Sequence, residues 1–139
     1  MKTSVKSVRI NDATARDIER LRRVQNATFS SMASELIAEA AKMRRCPGVV
    51  FADGPSGRRA RIEGTGIEVW EVIASYIALG KDEKRLKKTY HWLSDRQLLA
   101  ALGYYRAYLK EIEDFIEANK ALDEKAVQER LPFARRSSR

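Results

Sequence analysis

Few side chains in this 139-residue chain could carry covalent chemistry. The single cysteine, Cys46, and the single histidine, His91, exclude an internal disulfide and leave too few ligands for a metal site of these residue types. Cys46 precedes a proline at a predicted helix end, which is a poor setting for an activated thiolate. The acidic residues Glu111, Glu113 and Asp114 alternate with apolar helix positions, where solvation explains them. The loop DGPSG lacks the lysine and following helix of a phosphate-binding loop. We therefore expect no enzyme and no cofactor.

The clearest pattern is a short strand followed by two short amphipathic helices. Val8 and Ile10 alternate with Lys6, Ser7 and Arg9, which is the period-two pattern of a half-buried strand. After about residue 14, apolar residues follow at steps of three or four, in two stretches separated by NATFSS. These stretches contain Ala15, Ile18, Leu21 and Val24, then Met32, Leu36, Ile37, Ala40 and Met43. A lone strand has unpaired amides and two short helices bury little apolar area, so we expect this module to form a homodimer.

The segments SVRIN, DATARDIERLRRV and SSMASELIAEAAK resemble the ribbon-helix-helix family of bacterial DNA-binding repressors and antitoxins. The resemblance implies that the strands of two chains form an antiparallel ribbon in the major groove. Ser7 and Arg9 would then face the bases while Lys6, Val8 and Ile10 turn away, and arginine pairs well with a guanine edge. Val5 is unusual on a reading face, where it would contact a thymine methyl unless this arm is disordered. Without the resemblance, Arg9 is equally explained as a solvated charge on a strand edge.

The same resemblance implies a contact with the DNA backbone at the start of the second helix. Ser31 is predicted to be the N-cap of that helix. The free amides of Ser31, Met32 and Ala33 would point at a phosphate, as helix N-termini do. Lys6 would add a positive charge beside the same backbone.

The charge of the chain is consistent with a polyanionic partner. The chain has 27 Lys and Arg against 19 Asp and Glu, a formal net charge of +8. The first 45 residues contain 10 basic and 5 acidic side chains, a local excess of +5. A basic module of this kind favours nucleic acid as partner, although a merely basic surface would have the same composition.

A second module is predicted from residue 46, because Pro47 and Gly48 end the preceding helix. The segment VVFADGPSGRRARIEG has the pattern of a β-hairpin. Three helices are then predicted: one that Gly80 ends, one that Asp82 caps, and a long one from Ser94 to about Asn119. The predicted fold is mainly α with small β elements. Residues 1–45 are predicted to form a ribbon-helix-helix, and residues 46–119 a β-hairpin followed by a three-helix, helix-turn-helix-like bundle with a long last helix. Residues 120–139 are predicted to be a flexible basic tail.

Residues 47–116 resemble a prokaryotic antitoxin-like family of unknown function. The segments that carry this resemblance are RRARIEGTGIEVWEVI, the helix end at Gly80, and WLSDRQLLAALGYYRAY. The family pattern Gly-Thr-Arg-Ile-x-Val has Gly66 in place of its arginine here, so no nucleic-acid contact is assigned to this position. Trp70 and Trp92 are predicted to fill the core. Because such proteins are encoded beside PIN-like nuclease toxins, the two resemblances together imply a VapB-type antitoxin.

Several surfaces could bind a nuclease toxin. In the tail, Phe133 could be an apolar anchor, and Arg135 and Arg136 could pair with the carboxylates of a nuclease metal site. Tyr105 and Leu109 on the long helix are alternative contacts. The tail could equally be a solubilising segment. A basic cluster in the second module could bind the DNA backbone or an acidic toxin pocket, or could be solvated; it consists of Lys81, Lys84, Arg85, Lys87, Lys88 and Arg96.

These features predict the antitoxin of a type II toxin-antitoxin system. The protein would bind a pseudo-palindromic operator as a dimer to repress its own transcription, and would neutralise a PIN-like nuclease toxin. The alternative is a stand-alone dimeric transcriptional repressor whose second module only oligomerises. Lys2, Lys6 and Arg9 interrupt any apolar run near the start, so we expect no signal peptide, no membrane partner and a cytoplasmic location.

Overall fold

The computed structural model describes residues 2–55 and 57–130. The chain divides into two compact units, Met1–Lys42 and Met43–Arg139, so the division lies close to the boundary predicted after residue 45. The described residues form six helices and a two-stranded antiparallel sheet, which confirms the predicted class of mainly α structure with small β elements. None of the helices in these ranges combines the length and the apolar composition that crossing a membrane requires.

The first unit contains an extended segment and two helices. Residues 2–11 form no helix and pair with no strand within the single chain, so the ribbon stays a prediction. Helix α1 spans Asp12–Val24, as predicted. It begins there because the Asn11 side chain accepts a hydrogen bond from the Thr14 amide at 2.8 Å. Helix α2 spans Phe29–Arg45.

The start of α2 differs from the prediction. Thr28 lies immediately before the helix, and its Oγ1 accepts a hydrogen bond from the Ser31 amide at 3.0 Å. The Thr28 carbonyl also accepts from the Met32 amide at 3.1 Å. The predicted N-cap at Ser31 is therefore wrong. Thr28 has a side-chain hydroxyl, as Ser31 does, and lies three residues before Ser31. The helix is therefore nearly one turn longer than predicted.

The second unit begins with the predicted hairpin. Strand β1 spans Val49–Gly54 and strand β2 spans Gly57–Ile62, paired antiparallel from Val49 opposite Ile62 to Gly54 opposite Gly57. Val49, Ala60 and Ile62 are buried against the helices that follow. The hairpin therefore contributes one apolar face to the core of this unit, and the prediction of a hairpin is confirmed.

Helix α3 spans Val69–Ala78, and α4 spans Glu83–Thr89. Gly80, with φ of +71°, ends α3: its amide donates to the Ile77 carbonyl at 3.0 Å and the Lys81 amide to that of Tyr76 at 2.8 Å. The Asp82 carboxylate then accepts from the Lys84 and Arg85 amides and caps α4. The predicted helix end at Gly80 and the predicted cap at Asp82 are both confirmed.

The predicted long helix is two helices, α5 over Asp95–Ala107 and α6 over Leu109–Arg130. The prediction of one helix from Ser94 to Asn119 is wrong, and so is the count of three helices in this unit. Its start is right, because Ser94 and Gln97 form the predicted capping box. Tyr108 leaves the helical conformation, with φ of −131° and ψ of 49°.

Contacts on both sides of Tyr108 explain the break. The Tyr104 hydroxyl donates to Glu111 at 2.5 Å, and the Tyr105 hydroxyl donates to Glu113 at 2.7 Å. Helix α6 then packs against α3, with the ring of Phe115 against that of Trp70 at 5.3 Å between centroids. The first half of α6 therefore completes the core of its own unit, and this half needs no second chain for its packing.

Two further predictions are corrected in this unit. Trp92 is 60 % exposed rather than part of the core, whereas Trp70 is half-buried and its indole Nε1 donates to the Glu68 carboxylate. Residues 120–130 continue α6, so the predicted start of a flexible tail at residue 120 falls inside a helix. The side chains of residues 121–130 are all exposed.

Candidate nucleic-acid interface and partner-binding surfaces

The predicted base-reading residues lie in an exposed segment that is neither helix nor paired strand. Val5 is 98 % exposed, and Ser7 and Arg9 are also exposed. Arg9 makes no hydrogen bond or ion pair with any residue in the described ranges. Its guanidinium therefore remains available for a bidentate contact with a guanine edge or for a phosphate.

The apolar residues of the same unit are poorly covered. Ile18 and Met32 are buried, but Val8 is 67 % exposed and Ile37 is 60 % exposed. Ile10, Leu21, Val24 and Phe29 are exposed as well. Uncovered apolar side chains of this number are unusual in a protein that functions as a monomer.

The structure leaves different amides uncapped at the start of α2 from those that were predicted to contact a phosphate. The Ser31 and Met32 amides donate to Thr28, and Ala33 follows them inside the helix. Among the described residues, the amides at this helix start that have no capping partner are therefore those of Phe29 and Ser30. The Met32 side chain is 2 % exposed, so it is a core residue. The assignment of phosphate contacts to the amides of Ser31, Met32 and Ala33 is therefore corrected. Lys6 is exposed, as a phosphate contact requires.

Arginines of α1 divide into paired and unpaired groups. Arg22 Nη2 lies 2.5 Å from Glu19 Oε1, and Arg23 Nε lies 3.3 Å from the same oxygen. The hydrogen bond from Arg22 lowers the pKa of the Glu19 carboxyl below its ordinary value. Arg20 has no partner among the described residues and is exposed. Arg16, the fourth arginine of α1, is likewise exposed and without a partner among the described residues. Arg16 and Arg20 are therefore freer to reach a DNA phosphate than Arg22 and Arg23.

The basic cluster around α4 and α5 is also partly engaged within the protein. Lys87 Nζ donates to the Leu93 carbonyl at 2.6 Å and lies 3.1 Å from Asp95 Oδ1. Arg85 lies 3.7 Å from Asp82. Lys84, Lys88 and Arg96 are exposed and make no ion pair with described residues. The sixth member, Lys81, has its Nζ over the Tyr105 ring, 6.0 Å from the centroid. Among the described residues, the cluster therefore has three cations without an ion pair or ring contact, fewer than its composition suggests.

The residues predicted to contact a toxin differ in whether the structure leaves them accessible. Tyr105 is 5 % exposed and its hydroxyl is bonded to Glu113, so the proposed role as a surface contact is wrong. Leu109 is 46 % exposed at the start of α6 and remains accessible. Phe133, Arg135 and Arg136 lie outside the described residues.

The residues considered for covalent chemistry have surroundings that do not activate them. Cys46 is buried, and burial raises the pKa of its thiol, which disfavours the reactive thiolate. His91 is exposed, with its ring against that of Trp92. Glu111 and Glu113 accept hydrogen bonds from buried tyrosines, so solvation alone does not explain them. In the ranges that the structure describes, no three His, Cys, Asp or Glu side chains are placed to bind a metal ion together.

Sequence reasoning missed a groove between α3 and the middle of α6. It has a volume of about 610 Å³, and its apolar floor includes Trp70, Ala74, Ile77 and Ile116. Its charged lining residues are Glu113, Glu117, Lys120 and Asp123. The groove could not be predicted because it depends on the break at Tyr108, which sets the direction of α6.

Comparisons with known proteins show that part of the second unit is similar to a protein family. Residues 50–105 match a family described as "Protein of unknown function (DUF433)". The chain is similar to a solved structure of a DUF433 member protein from Anabaena variabilis, with 26 % sequence identity, 78 % of this chain and 99 % of that chain covered, and a TM-score of 0.43. The comparison with curated proteins gave no match. The chain thus contains, from the hairpin through most of α5, a region similar to a family whose function is unknown.

Proposed function

We propose that this protein is a dimeric DNA-binding antitoxin. Its first unit would pair residues 5–10 with the same residues of a second copy and would present Val5, Ser7 and Arg9 to the major groove. The observation that carries the proposal is the combination, in one extended segment, of an unpartnered Arg9 with exposed Val8 and Ile10. Alternation along a strand gives Arg9 one face and these two apolar residues the other.

A second copy explains both faces of this segment. Antiparallel pairing would satisfy the backbone amides and carbonyls of residues 5–10, and α1 and α2 of the two copies would cover Val8, Ile10 and Ile37. Burial of one such side chain contributes about 1.5–3 kcal/mol, and the dimer would bury each of them twice. The reading face would then carry two copies of Arg9, related by a two-fold axis, which suits a pseudo-palindromic operator.

Backbone contacts would fix this ribbon on the duplex. The amides of Phe29 and Ser30 are at the N-terminus of α2, where the helix dipole favours a phosphate. Lys6 and Arg20 would add positive charge near the same part of the DNA backbone. Helix termini and basic side chains position a protein without reading sequence, so specificity would come from Ser7 and Arg9.

The antitoxin part of the proposal rests on the resemblance of residues 47–116 to an antitoxin-like family and on the basic composition of the tail. Arg135 and Arg136 could form charge-assisted hydrogen bonds with the carboxylates of a PIN-like nuclease site, with Phe133 as apolar anchor. Leu109 is an additional exposed apolar contact. The DNA-bound dimer would repress its own operon.

Operator binding tests the DNA-reading part. With the full chain and the DNA upstream of its gene, Arg9→Ala should weaken specific binding by about 1–3 kcal/mol while binding to random duplex changes much less. Arg96→Ala removes an equally exposed charge from the second unit and is the matched control. With about six phosphate contacts per dimer, log affinity should fall with log salt at a slope of about −5. If Arg96→Ala abolishes specific binding and Arg9→Ala does not, the second unit reads the operator.

Inhibition of the adjacent nuclease tests the antitoxin part. Co-expression with the product of the neighbouring gene should give a complex that survives purification, and the full chain should inhibit its nuclease activity. Arg135→Ala with Arg136→Ala should weaken inhibition by one to a few orders of magnitude, since a charge-assisted pair contributes about 1.5–3 kcal/mol. Arg130→Ala, at the last residue of α6, is the control. If the wild-type chain and the double variant inhibit the nuclease equally, the contact would instead be assigned to the region of Leu109.

The alternative function is a stand-alone repressor whose second unit only oligomerises. It predicts the same operator binding and the same effect of Arg9→Ala. It differs in predicting that no neighbouring gene product copurifies with the chain.

A further inference from the structure

We propose that the groove between α3 and α6 binds α6 of a second copy of this chain, with the two helices running antiparallel. The occupant is the second half of α6, residues 120–130, whose side chains are all exposed within the single chain. This inference goes beyond the proposed function and does not rest on it, because every residue that it uses lies in the second unit.

One face of α6 continues from the groove to the end of the helix. Residues on this face follow one another at alternating steps of three and four, which is the spacing of the contact face between two paired helices. We call this face the seam of α6. Its first four residues line the groove and its last two lie beyond the groove; they are Glu113, Ile116, Lys120, Asp123, Val127 and Arg130. Because one face both lines the groove and reaches the exposed half, each of two copies can cover the seam of the other.

Charge complementarity favours the antiparallel direction. With a two-fold axis midway between positions 120 and 123, Lys120 lies opposite Asp123 of the second copy. The same register places Glu113 opposite Arg130 of the second copy. The two-fold axis repeats each of these pairs, so every charged residue of the seam would face an opposite charge.

Other arrangements of the two helices bring like charges together. A shift of one heptad, in one direction or the other, places Glu113 opposite Asp123 of the second copy or Lys120 opposite Arg130. A parallel pair places each charged residue opposite its own copy. Like charges in such positions cost free energy, so charge selects the first register among these four arrangements.

The charged residues of the seam are available for these pairs. Lys120, Asp123 and Arg130 are exposed and make no ion pair with residues in the described ranges. Glu113 accepts a hydrogen bond from the Tyr105 hydroxyl at 2.7 Å, and its carboxylate has further acceptor positions for a guanidinium group. The pairing therefore breaks no ion pair within the described part of the chain.

The groove also offers apolar surface to the incoming helix. Its floor includes Ala74 and Ile77 of α3, and Ile77 is 37 % exposed. In the proposed register, Val127 of the second copy lies beside Ile116, and the small side chain of its neighbour Ala126 faces α3. Val127 is 52 % exposed in the single chain, so the contact would remove apolar surface of both copies from water.

The contact would be weak between separate chains. The seam has a single apolar pair in each symmetric half, and Glu117 of one copy faces Glu124 of the other on its exposed side, where like charges oppose pairing. Any link that already holds two copies together would raise the local concentration of α6 and strengthen the pair. Covalent trapping is therefore the suitable way to detect it.

Cysteine crosslinking in the full chain tests the register. In a Cys46→Ala background, Ile116→Cys together with Val127→Cys should give a covalent dimer on oxidation with copper phenanthroline, seen on a non-reducing denaturing gel. The two positions are 11 residues apart in α6, about 16 Å at 1.5 Å per residue, so no disulfide forms between them within one chain. Each single variant is a matched control and should remain monomeric on the gel, because the register separates each position from its own copy by the same distance. No covalent dimer from the double variant, or an equal yield from the single variants, would overturn the proposal.

A second crosslink avoids the half-buried Ile116. Lys120→Cys, again with Cys46→Ala, leaves one cysteine at an exposed position, about 4.5 Å along the helix axis from its own copy in the proposed register. A short bismaleimide should join these cysteines between two chains. Glu129→Cys, which is exposed and off the seam, is the control and should give little dimer. Equal yields from Lys120→Cys and Glu129→Cys would overturn the proposal even if the first double variant fails to fold.

Charge variants at exposed positions test the pairing itself. In the protein with Ile116→Cys and Val127→Cys, Lys120→Asp places carboxylates opposite each other and should lower the yield of covalent dimer. Adding Asp123→Lys restores opposite charges and should restore the yield. Glu117→Lys should raise the yield, whereas Glu129→Lys makes the same change of charge off the seam and should not. A loss that Asp123→Lys does not restore, or equal effects of Glu117→Lys and Glu129→Lys, would contradict the register.

Discussion

At the scale of single residues, the structure separates charges that stabilise the protein from charges that are free for a partner. Arg22 of α1 and Lys87 of the basic cluster both carry a charge that could contact DNA, yet each is bonded to an acidic side chain. Arg9, with no described partner, stands apart from them. The charge of each residue can be read from the sequence, but its ion pairing depends on which acidic side chain lies close in space, as Lys87 and Asp95 illustrate.

Tyr105 gives a prediction at the residue scale. The hydrogen bond to Glu113, with burial, raises the pKa of Tyr105 to about 12 from an ordinary value of 10.0. Because the folded state favours the protonated phenol, this contribution is complete below about pH 10 and is lost as pH rises through about 12. Tyr105→Phe should lower the free energy of unfolding by about 1.5 kcal/mol at neutral pH. Urea titrations at several pH values should also show a smaller loss of stability above pH 10 in the variant, and an unchanged alkaline slope would contradict this account.

At the scale of elements, most boundaries followed from local chemistry that a sequence contains. Asn11, Asp82 and Ser94 cap helices through their own side chains, and Gly80 ends α3 with a positive φ. Each depends on residues only a few positions away, which is why the predictions at Asp82, Ser94 and Gly80 succeeded; the cap at Asn11 was not predicted, although it has the same local chemistry. The break at Tyr108 depends on the packing of α6 against α3, and the apolar spacing continues across it. The missed helix end and the missed groove thus have one cause, a tertiary contact.

Gly48 gives a prediction at the element scale. Its φ is +93°, and a Cβ added there would lie 2.9 Å from the Cβ of Ala100, where the approach to β1 meets α5. Gly48→Ala should therefore destabilise the second unit by about 2–3 kcal/mol, from backbone strain together with the clash. Gly66→Ala is the matched control, because a Cβ at Gly66 meets nothing within 4 Å. Thermal unfolding of the two variants tests this, and equal melting temperatures would argue against the tight contact at Gly48.

At the scale of the whole molecule, the two units differ in how completely each buries its apolar residues. The second unit has a continuous core from Val49 to Ile112, in which Ile62, Val69 and Ile73 are fully buried. The first unit leaves Val8 and Ile37 largely exposed. This contrast is the physical basis for expecting that the first unit requires a second copy. The alternation of apolar and polar residues near the start could be recognised in the sequence. The pairing of this segment with a second copy cannot be seen in the structure of a single chain.

Sedimentation equilibrium of the full chain at micromolar concentration tests this claim most directly. The account predicts a dimer, at about twice the chain mass of 15.9 kDa. Ile10→Asp places a charge in the ribbon and should give monomers or aggregates, whereas Leu99→Asp changes an exposed leucine of the second unit and should leave the dimer intact. A wild-type protein that is folded and monomeric at this concentration would contradict the paired ribbon, and with it the proposed mode of DNA binding.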